Sequence, residues 1–250
     1  MTRAPIPDLL PGDRRLDGAV GRYLSRVLRL RSGDAFVAFD PATGEESEAL
    51  VVWADREAIT ARFGPLRAGA ARAVVDVTWI QGLAKADKCD AVVRDATELG
   101  ATRIVVAATR HSVVKLDGAR AAERQTRWER IAREAARQCG RSDPPRVEGP
   151  CVWASALSQT PTDTARFCLW EEATAPLGPP LLEALARGVP LAFACGPEGG
   201  LARDEAEAAA ALGWSLTSLG PLTLRTETVA AAVLGAVAVW TGALAPSALP

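Results

Sequence analysis

The chain has 250 residues, 48% hydrophobic and 24% charged, a balance that supports a packed core and argues against disorder. With 29 Lys and Arg against 30 Asp and Glu, the formal net charge of −1 excludes a protein that coats nucleic acid over its whole surface. The five cysteines, Cys89, Cys139, Cys151, Cys168 and Cys195, form no CxxC pair and His111 is the single histidine, which argues against a zinc site and against a disulfide framework.

The longest apolar run, Val229 to Trp240, is well short of the roughly 20 residues that span a bilayer, and Met1 to Leu10 lacks the basic-then-apolar order of a signal peptide. A soluble, cytoplasmic protein without a membrane partner is expected. Up to about Arg72, the short runs "DAFVAFD", "EALVVWAD" and "AITARF" alternate with turn signals such as Ser32-Gly33-Asp34 and Asp40-Pro41-Ala42-Thr43-Gly44. A small, mostly antiparallel β domain with one short helix is predicted there. Within it, "RRLDGAVGRYLSRVLRLR" carries Arg14, Arg15, Arg22, Arg26, Arg29 and Arg31 against the single acid Asp17. This basic patch suits an RNA-facing surface, and it suits equally a solvated amphipathic helix with Leu24, Val27 and Leu28 buried.

From about Ala73 the pattern changes to apolar strands separated by helices, "VVDVTWI", "RIVVA", "FCLW" and "PLAFACG", which predicts a parallel α/β sheet. One helix is expected from about Lys88 to Leu99, ending at Gly100. Another runs from about Arg120 to Gln138, with Trp128, Ile131, Ala132 and Ala135 at helical spacing and Gly140 just past its end. The turn-rich stretch "VEGPCVWASALSQTPTDTA" has no clear assignment. Arg141, just after the C-cap, is placed either to reach RNA phosphate or to complement the helix C-terminus.

The stretch "ACGPEGGLARDE" leaves the end of an apolar strand, Leu191 to Ala194, and precedes a helix from about Arg203 to Leu212. Ligands of open α/β sheets bind at that edge. Gly196, Gly199 and Gly200 allow close backbone approach and Pro197 stiffens the turn. The loop lacks the GxxxxGK[ST] lysine and hydroxyl, is not GxGxxG, and carries Glu198, which would repel a phosphate. A strand-to-helix turn that uses glycine for shape alone is the alternative. A second loop, "SLGPLTLRTETV", follows the strand-like run Trp214 to Leu219 and leads into an apolar helix, with Thr226 as N-cap candidate, Glu227 in the first turn and Arg225 just outside. Val229, Val233, Leu234, Val237 and Trp240 make that helix apolar on nearly every face, so it needs burial on two sides, through a subunit interface or a deep core.

These segments together resemble the RsmE family, the 16S ribosomal RNA (uracil-N3) methyltransferases of the SPOUT superfamily. "CGPEGGLARDE" and "LGPLTLRTETVAAAVLG" carry the likeness, and "YLSRVLRLRSGD", "KADKCDAVVRDATELG" and "HSVVKLDGARAAERQTRWERIAREAARQCGR" follow the family's motifs in order over almost the whole chain. The resemblance implies a PUA-like β-barrel RNA-binding domain over residues 1–72. Over residues 73–250 it implies a SPOUT-type parallel sheet whose C-terminal trefoil knot binds S-adenosylmethionine, in a homodimer. It implies a cofactor pocket formed by Gly196, Glu198, Gly199 and Gly200, by Leu219, Gly220 and Leu224, and by the strand end near Leu169. It sets Arg225 toward the substrate uracil and makes 16S rRNA of the small ribosomal subunit the partner; the candidate RNA contacts are Arg22, Arg26 and Arg29 of the basic patch and Arg141 after the helix end. Tyr23, Asp95, His111 and Cys139 depart from the family pattern, and none of them lies in the two glycine loops.

Methylating uracil N3 requires loss of its proton, which spreads negative charge onto O2 and O4, and an arginine suits that charge. Arg225 is the candidate for this role, since a guanidinium binds an anionic edge yet cannot act as base. Glu198 is the nearest acidic candidate for accepting the proton or orienting Arg225; equally, it can pin the glycine loop by accepting backbone hydrogen bonds. His111 lies away from the glycine loops in sequence, and the cysteines are expected to be small packing residues.

Three functions follow. The first is S-adenosylmethionine-dependent methylation of uridine N3 in 16S rRNA near the 3′ decoding region. The second is a SPOUT methyltransferase with another RNA target, such as ribose 2′-O. The third is a non-catalytic RNA-binding factor. The intact "GPEGG" and "LRTET" segments count against the third, and the match that extends into the N-terminal motif counts against the second.

Overall fold

The computed structural model describes residues 2–69, 74–85, 87–112 and 118–242. The expected domain boundary at 72/73 and part of the "HSVVKLDG" segment lie outside the described residues. The chain forms two compact units, Met1–Arg72 with Ala136–Pro144, and Ala73–Ala135 with Pro145–Pro250. Residues 136–144 therefore belong with the first unit, although the sequence reading placed them in the second domain. Gly69 packs so closely on Ser142 that a Cβ there would overlap the serine side chain.

The first unit contains β1 (Thr2–Pro5), β2 (Gly12–Leu16), α1 (Gly18–Arg22), β3 (Ala35–Phe39), β4 (Glu45–Ala54), β5 (Ile59–Phe63) and β6 (Arg67–Ala68). Its sheet runs β1-β3-β4-β5-β2, with β6 beside β4; β1 is parallel to β3 and the remaining pairs are antiparallel. The edge strands β1 and β2 do not pair with each other among the described residues, so no closed barrel is seen. Sequence periodicity finds β3, β4 and β5 but not "TRAP" or "GDRRL", which lack apolar alternation and become strands only by pairing with a neighbour. Ile6, Leu24, Phe36, Ile59 and Phe63 form the core, with the rings of Phe36 and Phe63 edge to face at 6.3 Å. Glu46, 1% exposed, is held by Arg3 at 2.8 Å and Arg67 at 3.1 Å, so its buried charge is paired on both oxygens.

The basic segment is not one amphipathic α-helix. After α1 the chain widens into a π-helical turn, Tyr23–Val27, where Leu28 N–H donates to Tyr23 O, one residue further back than in an α-helix. That extra residue rotates the following side chains: Leu24 is buried as expected, whereas Val27 is 65% exposed. Arg29 then takes φ +57° and ends the turn.

The second unit contains β7 (Val77–Gly82), α2 (Lys88–Glu98), β8 (Arg103–Ala108), α3 (Gly118–Cys139, whose last turn from Ala136 belongs with the first unit), β9 (Arg146–Val152) and α4 (Trp153–Ser158). It continues with β10 (Ala165–Leu169), α5 (Gly178–Arg187), β11 (Leu191–Cys195), α6 (Arg203–Ala211), β12 (Ser215–Thr217) and α7 (Thr226–Trp240). The sheet order is β12-β10-β11-β7-β8-β9, all parallel, as the strand-helix alternation predicts. The unassigned turn-rich stretch turns out to hold β9 and α4.

Alternation along the central strand β11 separates two cores. Leu191, Phe193 and Cys195 join α2, α3, α5 and α7 on one face, where the Phe167 and Phe193 rings stack at 5.5 Å. Ala192 and Ala194 face α4 and α6 on the other, and their small size lets Ala206 and Ala209 approach. Helix α7 buries Val229, Ala230, Val233, Leu234, Val237 and Ala238, while Val239 and Trp240 are 68% and 66% exposed.

At the far edge of this sheet, Arg103 binds Glu148 through two hydrogen bonds of 2.8 and 3.0 Å. The bidentate guanidinium holds the Glu148 carboxyl below the usual carboxylate range, against burial that pushes it up. A depressed carboxylate stabilises the fold above its unfolded value of about 4.3, and that contribution is lost as pH falls through the folded value. Glu148→Gln is therefore expected to melt below the parent at pH 7, with the difference shrinking as pH falls below the unfolded value and through the folded one. A difference that stays constant across this range in melting curves would show that the ion pair is not its source.

Candidate active site

Because β10, β11 and β12 are adjacent and parallel, their carboxyl ends lie on one edge. The loops that leave them, beginning at Trp170, Gly196 and Ser218, line a single cleft of about 1010 Å³. All the candidate pocket residues, Leu169, Gly196, Glu198, Gly199, Gly200, Leu219, Gly220 and Leu224, lie on its wall together with Arg225.

The two glycine loops are tied together by a residue that sequence reasoning missed. Gln81, fully buried near the end of β7, donates from Nε2 to Thr226 Oγ1 at 2.8 Å, Gly82 O at 3.0 Å and Gly196 O at 3.2 Å. Its Oε1 accepts from Trp79 Nε1 at 3.1 Å. Thr226 in turn donates to Gly196 O at 2.8 Å. The available signal was the lone amide in the mostly apolar "VTWIQG" strand, since a buried amide is kept only where its hydrogen bonds are met. Gln81→Leu leaves Trp79 Nε1 and Gly82 O without these partners and is expected to destabilise the unit by about 1–3 kcal/mol in urea denaturation.

Thr226 is thus not the helix cap. Arg225 occupies the N-cap position at φ −66°, ψ 147°, with no side-chain cap, while the Thr226 hydroxyl is committed to the Gly196 loop. Glu227 does stand in the first turn. The Arg225 side chain is exposed in the cleft and makes no hydrogen bond or ion pair among the described residues.

Glu198 behaves as a loop anchor. Its Oε1 accepts from the Lys85 backbone N–H at 3.0 Å and lies 3.2 Å from Lys88 Nζ. Burial pushes this carboxyl up, but the backbone N–H groups of Glu198 and Lys85, with the Lys88 ammonium, outweigh burial and hold it below the usual range. Such a carboxylate is a weak base, and its partners are Lys85 and Lys88 rather than Arg225.

The GPEGG turn requires glycine at two positions. Gly200 has φ +70°, a conformation that side chains rarely adopt, and a Cβ there would also displace the Glu171 carboxylate. Gly82 lies under the turn, where a Cβ would come 2.6 Å from Pro197 N and 2.8 Å from Gly196 C. His111, distant in sequence, also reaches this loop: its Nδ1 is 3.3 Å from Gly200 O. Cys195 lines the cleft, but burial pushes its thiol up to about 12, so it stays neutral and unreactive.

The arginines proposed for RNA divide. Arg22, Arg26 and Arg29 are exposed, and the first two pair with Glu57. Arg141 is only 5% exposed, with Nε 3.1 Å from Asp143 Oδ1 and Nη2 2.8 Å from Asp143 O, so it does not project to solvent as the sequence reading had it. Among the described residues no His, Cys, Asp and Glu group suits a metal, and no helix is long and apolar enough to cross a membrane.

A family model described as an RNA methyltransferase domain matches residues 71–238. Ribosomal RNA small subunit methyltransferase E of Mycobacterium bovis is 34% identical over 231 residues, covering 90% of this chain and 86% of that protein. The Bacillus subtilis protein of the same name is 32% identical over 167 residues, 65% of each chain. A crystal structure of the Neisseria gonorrhoeae protein of that name, bound to S-adenosyl methionine, superposes with a TM-score of 0.85 at 26% identity, covering 96% of this chain and 98% of that one. With the cleft at the strand ends and a family match across most of its length, this chain belongs to the RNA methyltransferase family, alongside the small subunit methyltransferase E proteins.

Proposed function

We propose that the protein transfers a methyl group from S-adenosylmethionine to N3 of one uridine in 16S rRNA of the small ribosomal subunit, near the 3′ decoding region. The observation that carries this reading is the cleft itself: glycine loops from β11 and β12 meet around about 1010 Å³, with the unpaired Arg225 on the wall. That volume suits a small-molecule site. The lining also fits the cofactor chemically, because it combines open backbone, a buried Thr217 hydroxyl with no partner among the described residues, and charged Lys88, Glu171 and Glu198.

In this reading Leu169, Gly196, Gly199, Gly200, Leu219, Gly220 and Leu224 hold the cofactor, which supplies a methyl group on a sulfonium. Arg225 receives the uracil edge and offsets the charge on O2 and O4 once the N3 proton has passed to solvent water. Glu198 is the positioning residue that keeps the GPEGG turn in shape through Lys85 and Lys88. Holding both reactants in line supplies much of the rate by itself.

We assign RNA contact to the first unit as a PUA-like domain over residues 1–72, with Arg22, Arg26 and Arg29 on its surface; Arg141, buried on Asp143, is left out. Residues 73–250, apart from 136–144, which belong with the first unit, are read as the SPOUT domain with a C-terminal trefoil knot. Support for the knot comes from the path of the chain: β12 lies at one sheet edge beside β10, yet α7 packs with α2 near β7, so residues 218–225 must cross the ends of β10 and β11. Homodimerisation through α7 is supported by its exposed Val239 and Trp240.

Unmodified small ribosomal subunits, incubated with the protein and labelled S-adenosylmethionine and digested to nucleosides, are expected to yield labelled N3-methyluridine. A labelled 2′-O-methylnucleoside would instead move the assignment to ribose methylation.

A further inference from the structure

Thr217 ends β12 with 1% exposure, lines the cleft, and has an Oγ1 that is buried with no hydrogen-bond partner among the described residues. A buried hydroxyl left without a partner is adverse unless something else satisfies it. Strand register shows which way the side chain faces. Thr217 is aligned with Leu169 of β10, and Leu169 with Cys195 of β11. Leu169 and Cys195 both belong to the core on the α7 face and both line the cleft, whereas Leu216, the neighbour of Thr217, packs with the opposite core. Leu169, Cys195, Thr217 and Val229 therefore make an uncharged floor.

The other polar groups at this floor are already committed. Thr226 Oγ1 donates to Gly196 O and accepts from Gln81, and the Cys195 thiol is 3.4 Å from Gly196 O. The charged groups of the cleft sit in contact with water: the Lys88 side chain is 35% exposed, that of Glu198 is 25% exposed, and Glu171 and Arg225 are exposed.

We infer that Thr217 Oγ1 hydrogen-bonds the adenosyl half of the bound cofactor and is a determinant of its affinity, an inference that rests on the methyltransferase reading above. The amino-acid end carries a carboxylate, an ammonium and the adjoining sulfonium, and burying those over Leu169, Cys195 and Val229 without partners is strongly unfavourable. The nucleoside end is uncharged and edged with donors and acceptors, either of which a threonine hydroxyl can meet.

Calorimetric titration with S-adenosylhomocysteine and with 5′-methylthioadenosine, which lacks the amino-acid end, tests this. Thr217→Val keeps the shape and removes the hydroxyl, so both ligands are expected to bind about tenfold more weakly, and Thr217→Ser should return to within about threefold of the parent. The unliganded Thr217→Val protein should melt no lower than the parent, because an unpartnered hydroxyl has been removed; a merely structural hydroxyl would instead lower the melting temperature and leave both affinities alone. Unchanged affinities for Thr217→Val overturn the inference. So does a loss confined to S-adenosylhomocysteine, which would put the contact at the amino-acid end. If the parent protein binds neither ligand, the methyltransferase reading fails and the inference falls with it.

Discussion

Arg225→Ala is expected to lower the rate of methyl transfer by about 10²–10³-fold, while S-adenosylhomocysteine binds within about twofold of the parent. The asymmetry follows from where the side chain stands. Arg225 caps α7 with its backbone, so its guanidinium is unneeded for the helix, and among the described residues no carboxylate neutralises it. A cation held exposed at the rim of a cleft interacts most with negative charge that develops during reaction. Arg225→Lys should restore only a fraction of the rate, because an ammonium cannot match the planar two-pronged donor of a guanidinium. Single-turnover rates on small subunits, set beside cofactor affinity, separate the outcomes; a parallel fall in both would assign Arg225 to cofactor holding.

Gly82→Ala should weaken S-adenosylhomocysteine binding by about 5–150-fold, the equivalent of the roughly 1–3 kcal/mol that overpacking a tight contact costs. The atoms a methyl group would meet are Pro197 N, Pro197 Cδ and the Gly196 carbonyl carbon, at 2.6 to 2.8 Å. These are backbone and ring atoms that cannot rotate away, so the GPEGG turn must shift. A shift there also strains the hydrogen bonds of Gly196 O to Gln81 and Thr226. Gly178→Ala is the control: nothing lies within 4 Å of its added Cβ, and binding should be unchanged. Equal affinities for the two variants, by calorimetry, would show that the turn tolerates movement at Gly82.

The two glycine loops are legible in sequence because each stands between an apolar run and a helix, a local pattern. What ties them together is not legible. Gln81 is 115 residues from Gly196 and 145 from Thr226 along the chain, yet all three share one set of hydrogen bonds. His111, set aside for its distance in sequence from the loops, comes to Gly200 because β8 and β11 both flank β7 in a parallel sheet. Thr226 was assigned as a cap from residue type, and its hydroxyl is drawn off by a carbonyl that only the fold brings near. Arg141 carries the same lesson: a charged residue after a helix end suggests a surface position, and Asp143 with the surrounding packing buries it.

By itself, the sequence determined the parallel α/β class of residues beyond about 74, the extents of α2, α3 and α6 to within a few residues, the apolar character of α7, and the family resemblance. Those features are written in short-range periodicity and in contiguous motifs. Only the tertiary structure decided the open edges of the first sheet, the π-helical turn that exposes Val27, and the placing of residues 136–144 with the first unit. It also decided the engagement of Glu198 with Lys85 and Lys88 and the unpartnered hydroxyl of Thr217. Each of these depends on strand pairing, or on which polar atoms meet across long stretches of chain, and no local pattern encodes which partners will be available once the chain has folded.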